Sequence, residues 1–388
     1  MRINFDEITE RRGTSCWKWD IESDVLPMWI ADMDFKCAPE IIDAFKRRID
    51  SGIFGYTFNS DGWYLSYIKW WRERHHLDIK KEWMSFATGV IPIVTATVQK
   101  LTNEGDNVVL LTPIYNTFFN SIVNNHRNPL TSDMKYVDGS YYVDYQDLEE
   151  KLSREETKLF IFCNPHNPIG KVWEREEIEK IGELCKKYNV VVLSDEIHCD
   201  IVKPTHEYTP FLSVESNINN TIMAISPTKV FNLAGIQTAC MVIPNEELRK
   251  KVNRQLNDIE CAEPNVLAEI APQVAFNECE YWVDEMNLYV DQNRNLVREF
   301  LKNELPVVKM VEGDALYLIW LDFSNVIDDT TIFNKFLKEK TGLYLASGEN
   351  YRGNGNKFLR MNLATQRSRV EDGLNRLKDG VLSYITQK

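Results

Sequence analysis

The chain has 388 residues, more than one ordinary hydrophobic core needs, so its length favours two lobes. An apolar share of 44%, with 17 glycines and 14 prolines, is typical of a globular protein rather than of a low-complexity chain. The net charge of −13 argues against a nucleic-acid partner and against a basic membrane-binding surface.

The N-terminus, cysteines and histidines favour a cytoplasmic protein without a metal site. The first residues, "MRINFDEITERRG", contain no apolar signal core, and no run approaches the length of a membrane span. The eight cysteines include no C-x-x-C pair, and several lie in apolar runs such as "FIFCNP", which predicts reduced, mostly buried thiols. The six histidines show no H-E-x-x-H spacing, so no metal is expected.

From about residue 86 to 245, apolar β-branched runs alternate with helical patterns, which predicts a mostly parallel sheet covered by helices. The stretch "ATGVIPIV" (87–94) has the form of a glycine turn opening a helix, and 174–189 has helical spacing. The strand candidates are "NVVLLT" (107–112), "KLFIFC" (158–163), "NVVVLS" (189–194), "TIMAIS" (221–226) and "ACMVIP" (239–244).

After about residue 280 the pattern changes to a long helix candidate (281–305) and shorter alternating segments, which predicts a smaller α+β lobe. The irregular N-terminal stretch is expected to contribute to that lobe. The predicted division is therefore an N-terminal segment (1–45), a large ligand-binding domain (46–282) and a small C-terminal domain (283–388).

Polar side chains gather where the predicted strands end. Ligands of open α/β sheets bind beyond the carboxyl ends of the strands, so these side chains are candidates for a common site. In chain order they are Tyr115, Asn164, Asn167, Asp195, His198, Ser226 and Lys229.

Lys229, in "SPTKVFNLAG" (226–235), has no carboxylate near it in the sequence. A lysine in such a place is usually a surface cation. A pyridoxal phosphate (PLP) site, however, needs a lysine amine for the aldehyde, a carboxylate beside the pyridine nitrogen, a flat ring partner, a donor to the ring hydroxyl and N–H groups for the phosphate. The residues that could take these parts, in the same order, are Lys229, Asp195, Tyr115, Asn167 and the 88–91 turn.

Each of these residues also has an ordinary structural interpretation. Asp195 could cap a helix, Asn167 could form a turn, Tyr115 could belong to the core, and His198 could be a satisfied buried polar group. Their position at consecutive strand ends of one predicted sheet favours the shared site. The rival phosphate motif "IGKV" (169–172) lacks the Ser or Thr that a P-loop needs after its lysine.

The combination of "NPHNPIG" (164–170), "SDEIHCD" (194–200) and "SPTKVFNLAG" (226–235) resembles the class I/II aminotransferases of PLP fold type I, over nearly the whole chain. The closer resemblance is to the cystathionine β-lyase-like branch of carbon–sulfur lyases. The segments that carry it are "WIADMDF" (29–35), "FGYTF" (54–58) and "LRMNLAT" (359–365).

The resemblance implies a role for each candidate around the PLP ring. Lys229 would form the Schiff base, Asp195 would pair with the pyridine nitrogen, and Asn167 would reach the ring hydroxyl. Tyr115 would stack on the ring. His198 stands where most aminotransferases carry a tyrosine near the ring hydroxyl, a departure shared with the lyase branch.

The resemblance also implies how the phosphate and the substrate are held. Val90, Ile91 and Ser226 would bind the phosphate, and Tyr56 would reach the phosphate of a neighbouring subunit, which implies a homodimer with shared active sites. Arg360 would clamp the α-carboxylate of a small amino-acid substrate.

Two further departures concern the phosphate and the substrate. Gln237 stands where many aminotransferases carry an arginine on the phosphate, and the lyase branch shares this change. The loop "ASGENYRGNGNKF" (346–358) lacks the proline–glycine that often opens it, and the resemblance implies that this loop borders the substrate.

The expected activity is α,β-elimination of L-cystathionine or a related cysteine S-conjugate to a thiol, pyruvate and ammonia. An aminotransferase is the first alternative, because both reactions share every step up to loss of the Cα proton. A PLP-bound protein that mainly binds a regulatory partner is a lesser alternative.

Overall fold

The computed structural model describes residues 2–387, which form a large α/β lobe and a smaller α+β lobe. The helices are α1 (Pro39–Asp50), α2 (Asp61–His75), α3 (Val90–Leu101), α4 (Thr117–Val123), α5 (Tyr145–Leu152), α6 (Arg175–Lys187), α7 (Glu246–Asp258), α8 (Val266–Glu278), α9 (Glu280–Glu304), α10 (Thr330–Thr341) and α11 (Arg367–Gln387). The strands are β1 (Leu26–Pro27), β2 (Met84–Ala87), β3 (Asn107–Thr112), β4 (Asn128–Asp133), β5 (Lys135–Val137), β6 (Ser140–Tyr142), β7 (Thr157–Cys163), β8 (Val191–Asp195), β9 (Thr221–Ile225), β10 (Ala239–Val242), β11 (Lys309–Met310), β12 (Leu318–Asp322), β13 (Leu343–Tyr344), β14 (Ala346–Ser347) and β15 (Phe358–Asn362).

The large lobe is built on a seven-stranded sheet in the order β2-β10-β9-β8-β7-β3-β4. All five predicted apolar runs are strands of this sheet, and β3, β7, β8 and β9 are parallel neighbours. Their carboxyl ends therefore lie at the same edge, as predicted.

One strand departs from the parallel arrangement that its sequence favours. β10 runs antiparallel to both β9 and β2. The reason is its connection, since residues 226–238 contain only one short 3₁₀ turn and no crossover helix that would return the chain to the same end of the sheet.

Helices cover both faces of the sheet. Because successive side chains of a strand point to opposite sides, the side chains on both faces are buried. In β7, Leu159 and Ile161 pack into the core beneath α3 and α7, whereas Phe160 and Phe162 pack into the core on the α5 and α6 side. The continuous apolar runs of the sequence follow from this double coverage.

The helices that cover the sheet are amphipathic. In α6, Ile178, Ile181 and Cys185 face the core, and Glu174 and Glu177 form a capping box at its start, in agreement with the predicted helix. No helix within residues 2–387 is both long enough and apolar enough to cross a membrane.

The smaller lobe contains a four-stranded antiparallel sheet, β11-β12-β15-β14, next to α9, α10 and α11. The N-terminal stretch meets this lobe, because Leu26 in β1 pairs in parallel register with Leu343 in β13. The domain boundaries given above remain a prediction.

Candidate active site

Lys229 and Asp195 lie at the carboxyl edge of the large sheet. Asp195 is the last residue of β8 and is 4% exposed, and its Oδ1 accepts a hydrogen bond of 3.1 Å from the Ile197 N–H. Lys229 follows β9 and donates from Nζ to the Ala31 carbonyl at 2.7 Å. Within the described chain, no carboxylate lies within ion-pair distance of Lys229 Nζ.

The surroundings lower the pKa of Lys229 and raise the pKa of Asp195, so the uncharged form of each group is favoured. Burial lowers the pKa of Lys229 to about 8; the charge of Arg360 adds to this, while Asp32 and Asp195 oppose it. Burial also raises the pKa of Asp195 to about 7, against the opposing effects of the Ile197 N–H and Lys229. A nucleophilic amine and a buried carboxyl that could pair with a bound cation therefore lie at the same edge of the sheet.

His198 and Asn167 are buried beside this pair of groups. Burial lowers the pKa of His198 well below its ordinary value, and the charges of Lys229 and Arg360 act in the same direction, so the imidazole is neutral. Among residues 2–387, no hydrogen-bond partner reaches His198 Nδ1. The Asn167 Oδ1 accepts a hydrogen bond of 3.1 Å from the Arg360 guanidinium.

Arg360 comes from β15 of the smaller lobe, yet its side chain reaches across to the large lobe. It is 4% exposed, donates to the Trp29 carbonyl at 3.0 Å and lies 5.0 Å from the centre of the Tyr351 ring. No carboxylate of the described residues pairs with it, and its Nε has no partner. A buried guanidinium without an anion is costly, so a ligand carboxylate would supply the missing charge.

Two of the groups predicted to hold a phosphate lie at the start of α3, and the third is linked to the neighbouring strand. No side chain caps this helix in the described structure, and Gly89 precedes Val90 and Ile91, whose N–H groups belong to its first turn. The Ser226 Oγ donates to the Thr238 carbonyl at 2.7 Å. Thr238 directly precedes β10, whose first residue is paired with the last residue of β2, the strand that leads into α3.

Three of the predicted groups require separate description. Tyr115 is partly buried and packs edge-on against Phe118, with 5.5 Å between the ring centres. Tyr56 is fully exposed in a stretch without helix or strand, so a single chain does not bring it to the site. Gln237 is also exposed, with a left-handed φ of 58°. Tyr115, which follows β3, lies with the remaining predicted residues at the strand-end edge.

The sequence interpretation missed several groups of this site. The carbonyls of Trp29 and Ala31 accept from Arg360 and Lys229, and the carboxylate of Asp32 acts on Lys229 through its charge. Tyr351, beneath the Arg360 guanidinium, also escaped prediction. Any residue can supply a backbone carbonyl, so residue type does not identify these acceptors. The motif "WIADMDF" (29–35) is the part of the sequence that points to this segment.

A second polar cluster lies behind the segment that carries His198. The possible ligand atoms of His75, Cys199 and Asp200 lie within 4.8 Å of one another, a grouping that no sequence spacing predicts. The Asp200 carboxylate is already engaged, by His75 Nε2 at 2.9 Å, Trp70 Nε1 at 3.1 Å and Arg74 Nε at 3.2 Å. The cluster is thus accounted for as a buried ion-pair network.

Known proteins resemble this chain over nearly its whole length. The model of the family described as aminotransferase class I and II matches residues 24–377. Cystathionine beta-lyase PatB of Bacillus subtilis is 38% identical over 384 residues, which are 97% of this chain and 99% of that protein.

Two solved structures share the fold closely. Cystalysin of Treponema denticola, which contains a pyridoxal 5'-phosphate cofactor, gives a TM-score of 0.95 at 31% identity and covers 99% of this chain and 100% of its own. The PLP-bound C–S lyase of Staphylococcus hominis gives a TM-score of 0.92 at 31% identity, with 98% and 99% covered.

The architecture is thus that of the PLP-dependent, aminotransferase-like proteins, with a mostly parallel sheet and a smaller α+β lobe. The chain belongs to the class I and II aminotransferase family, which confirms the resemblance predicted from its motifs.

Proposed function

We propose that this protein is a PLP-dependent carbon–sulfur β-lyase, which converts L-cystathionine or a related cysteine S-conjugate to a thiol, pyruvate and ammonia. The observation that carries the proposal is the convergence of Lys229, Asp195, Asn167 and Arg360 at one buried edge between the two lobes. The 38% identity to a cystathionine beta-lyase supports the choice of elimination within the family.

The residues present fit the cofactor. Lys229 offers an amine of lowered pKa to the aldehyde, and Asp195 offers a buried carboxyl to the pyridine nitrogen. Asn167, with His198 beside it, would face the ring hydroxyl, and Tyr115 would stack on the ring. The uncapped start of α3, with Val90, Ile91 and Ser226, would hold the phosphate.

When bound, PLP draws electrons away from the Cα of an amino acid, so that a Cα proton and then a Cβ substituent can leave. Arg360 binds and orients the α-carboxylate, and Lys229 Nζ takes the Cα proton. The Asp195 carboxylate keeps the proton on the pyridine nitrogen. A thiol has a pKa near ~8.5, so a sulfur leaving group needs little acid assistance.

Arg360→Lys is expected to raise KM for L-cystathionine by roughly 10- to 100-fold, the loss expected when a charged hydrogen bond to a carboxylate is removed. The ammonium keeps the charge but lacks the planar fork that holds a carboxylate through two N–H groups. Steady-state kinetics measure the effect. The matched control is Arg254→Lys on the exposed face of α7, where the ion pair with Asp258 should be dispensable; an Arg360→Lys enzyme with the control's KM would contradict the assignment.

The alternative of an aminotransferase is separated from the lyase by the fate of the nitrogen. Elimination releases ammonia whether or not a 2-oxo acid is present, whereas transamination converts the 2-oxo acid into a new amino acid. The experiment gives the holoenzyme L-cystathionine with and without 2-oxoglutarate and measures ammonia and glutamate. Ammonia in both samples supports the lyase, and glutamate formed without ammonia or thiol supports the aminotransferase.

We further propose a homodimer whose active sites are shared. The supporting observation is an exposed apolar segment without helix or strand, comprising residues 53–58, in which Ile53, Phe54, Tyr56 and Phe58 all face solvent in the single chain. Exposed apolar side chains in one continuous segment favour burial against a partner. A second copy would cover them and place Tyr56 on the phosphate of the neighbouring site.

Tyr56→Phe is therefore expected to weaken PLP binding by about tenfold, the loss of one hydrogen bond to a charged group, while the mass in solution stays that of two copies. Cofactor titration and light scattering make the two measurements. Tyr142→Phe, at another exposed tyrosine in β6, is the control and should bind PLP normally. A mass of one copy in a fully active preparation would contradict the shared site.

We place the enzyme in the cytoplasm. The support is the state of the cysteines: the eight cysteines within residues 2–387 form no disulfide, and five of them are buried as free thiols. Thiols stay reduced in the cytoplasm, whereas disulfides are common in secreted proteins.

A further inference from the structure

Both cations of the proposed active site bind to the same short piece of backbone. Lys229 donates to the Ala31 carbonyl at 2.7 Å, and Arg360 donates to the Trp29 carbonyl at 3.0 Å. Residues 28–35, here called the wall segment, contain no helix or strand. Its carbonyls are therefore not placed by a regular hydrogen-bond pattern, and other contacts must fix them.

The smaller lobe fixes one side of the wall segment. Asn362, two residues beyond Arg360 in β15, donates from Nδ2 to the carbonyls of Ile30 at 2.7 Å and Asp32 at 2.8 Å. The Asp34 N–H donates to the Ala364 carbonyl at 2.8 Å. These contacts tie the wall segment to the strand that carries Arg360.

A buried ionic cluster fixes the other side of the wall segment. The carboxylate of Asp34 and the ammonium of Lys18 are each 1% exposed and lie 2.9 Å apart. Lys18 Nζ also donates to the Asp32 carbonyl at 3.0 Å, so one lysine holds both a side chain and the backbone of the wall segment.

Further donors saturate the Asp34 carboxylate. Trp19 Nε1 donates to it at 2.7 Å, and Arg11 Nη1 lies 3.0 Å away while its Nη2 pairs with Asp32 at 2.8 Å. Burial alone would raise the pKa of Asp34, but the charge of Lys18 and hydrogen bonds from Trp19, Lys18 and Thr365 outweigh it and lower the pKa. Asp34 is therefore a buried anion, and its contacts with Arg11, Lys18 and Trp19 hold the N-terminal residues against the wall segment.

We propose that the Lys18–Asp34 pair is a positioning device, which sets the Trp29 and Ala31 carbonyls against Arg360 and Lys229. The inference rests on the proposed roles of these two cations. Neither Lys18 nor Asp34 touches them directly; the pair acts through the wall segment. Breaking the pair should therefore change the pKa of Lys229 and the binding of the substrate carboxylate by Arg360, in addition to any loss of stability.

The test compares Asp34→Asn with Lys18→Met, which leaves Asp34 paired with Arg11 and so keeps the experiment informative if the first variant does not fold. Asp147→Asn is the matched control, because it removes a carboxylate from a partly buried ion pair with Lys151 in α5, away from the wall segment. All four proteins, including the unaltered chain, are measured as full-length protein.

The first readout is the pKa of Lys229 after PLP has been released from the lysine with hydroxylamine and then removed by dialysis. The pH dependence of its reaction with an amine-selective reagent, located by peptide mass spectrometry, gives this value. Loss of the Ala31 acceptor removes a hydrogen bond that favours the ammonium, so the pKa of Lys229 is expected to fall in both wall-segment variants. It should stay unchanged in Asp147→Asn.

The second readout is the division between KM and kcat in the PLP-loaded enzyme with L-cystathionine. KM is expected to rise by about tenfold, as for a lost hydrogen bond to a charged group, with a much smaller change in kcat. Lower thermal stability with Lys229 pKa and KM both at control values would overturn the inference. Because the Lys229 measurement needs neither cofactor nor substrate, a failed proposal of lyase activity would not imitate that result.

Discussion

Lys229→Ala is expected to abolish turnover, with a loss of at least about 10³-fold, the range that removal of a positioned general base produces. The variant should also lose the visible absorbance of lysine-linked PLP. The physical reason is that Lys229 supplies both the amine that attaches the cofactor and the base that takes the Cα proton. Its pKa of about 8 leaves part of the amine neutral near physiological pH, as both tasks require.

The control for this variant is Lys203→Met. Lys203 is also a partly buried lysine, but its ammonium is paired with Asp314 at 2.7 Å and it lies outside the strand-end edge. Its loss should leave the spectrum and the turnover close to normal. Turnover or lysine-linked absorbance that survives in Lys229→Ala would remove this residue from the site.

Asp195→Asn is expected to keep PLP bound but to lower kcat by on the order of 10²-fold or more, comparable with the loss of a preorganised electrostatic partner. A neutral amide cannot hold the proton on the pyridine nitrogen, so the ring accepts electrons less readily. Cofactor titration and steady-state kinetics separate binding from rate. Near-normal kcat with PLP bound would contradict the pairing of Asp195 with the ring nitrogen.

Asp195 should also affect how the stability of the PLP-free protein depends on pH. The folded-state pKa of Asp195 is about 7, whereas an unfolded aspartate titrates near ~3.9, so between these values the folded chain binds a proton that the unfolded chain releases. The free energy of unfolding should therefore fall as pH rises through this window.

Asp195→Asn should remove this part of the pH dependence, which urea titrations at several pH values measure. Glu196, with a pKa raised to about 8 by burial, adds a parallel decline that remains in the variant. Unfolding free energies that run parallel for the two proteins from pH 4.5 to 7 would show that Asp195 is not protonated in the cofactor-free fold.

The sequence was most informative where burial and chemistry coincide. A strand covered on both faces must be apolar along its length, so β3, β7, β8 and β9 were visible as continuous runs. A polar residue that follows such a run stands out in the sequence, as Asp195 and Lys229 do. The direction of β10 was not visible, because an apolar run is the same whichever way the chain passes through the sheet.

Other parts of the site could not be predicted for a different reason. Ala31 and Trp29 act through backbone carbonyls, and Asp34 acts through partners such as Lys18 that are distant from the site, so no local pattern identifies them. Only the family resemblance indicates a role for Tyr56. In one chain it lies in solvent, and its proposed function depends on a second copy.

The most direct test of the proposed activity gives purified, PLP-loaded protein L-cystathionine with no 2-oxo acid present and follows free thiol and pyruvate together. Thiol and pyruvate should appear in equal amounts, and neither should appear with Lys229→Ala. If the unaltered enzyme forms neither product from L-cystathionine or from other cysteine S-conjugates, the assignment as a carbon–sulfur β-lyase is wrong.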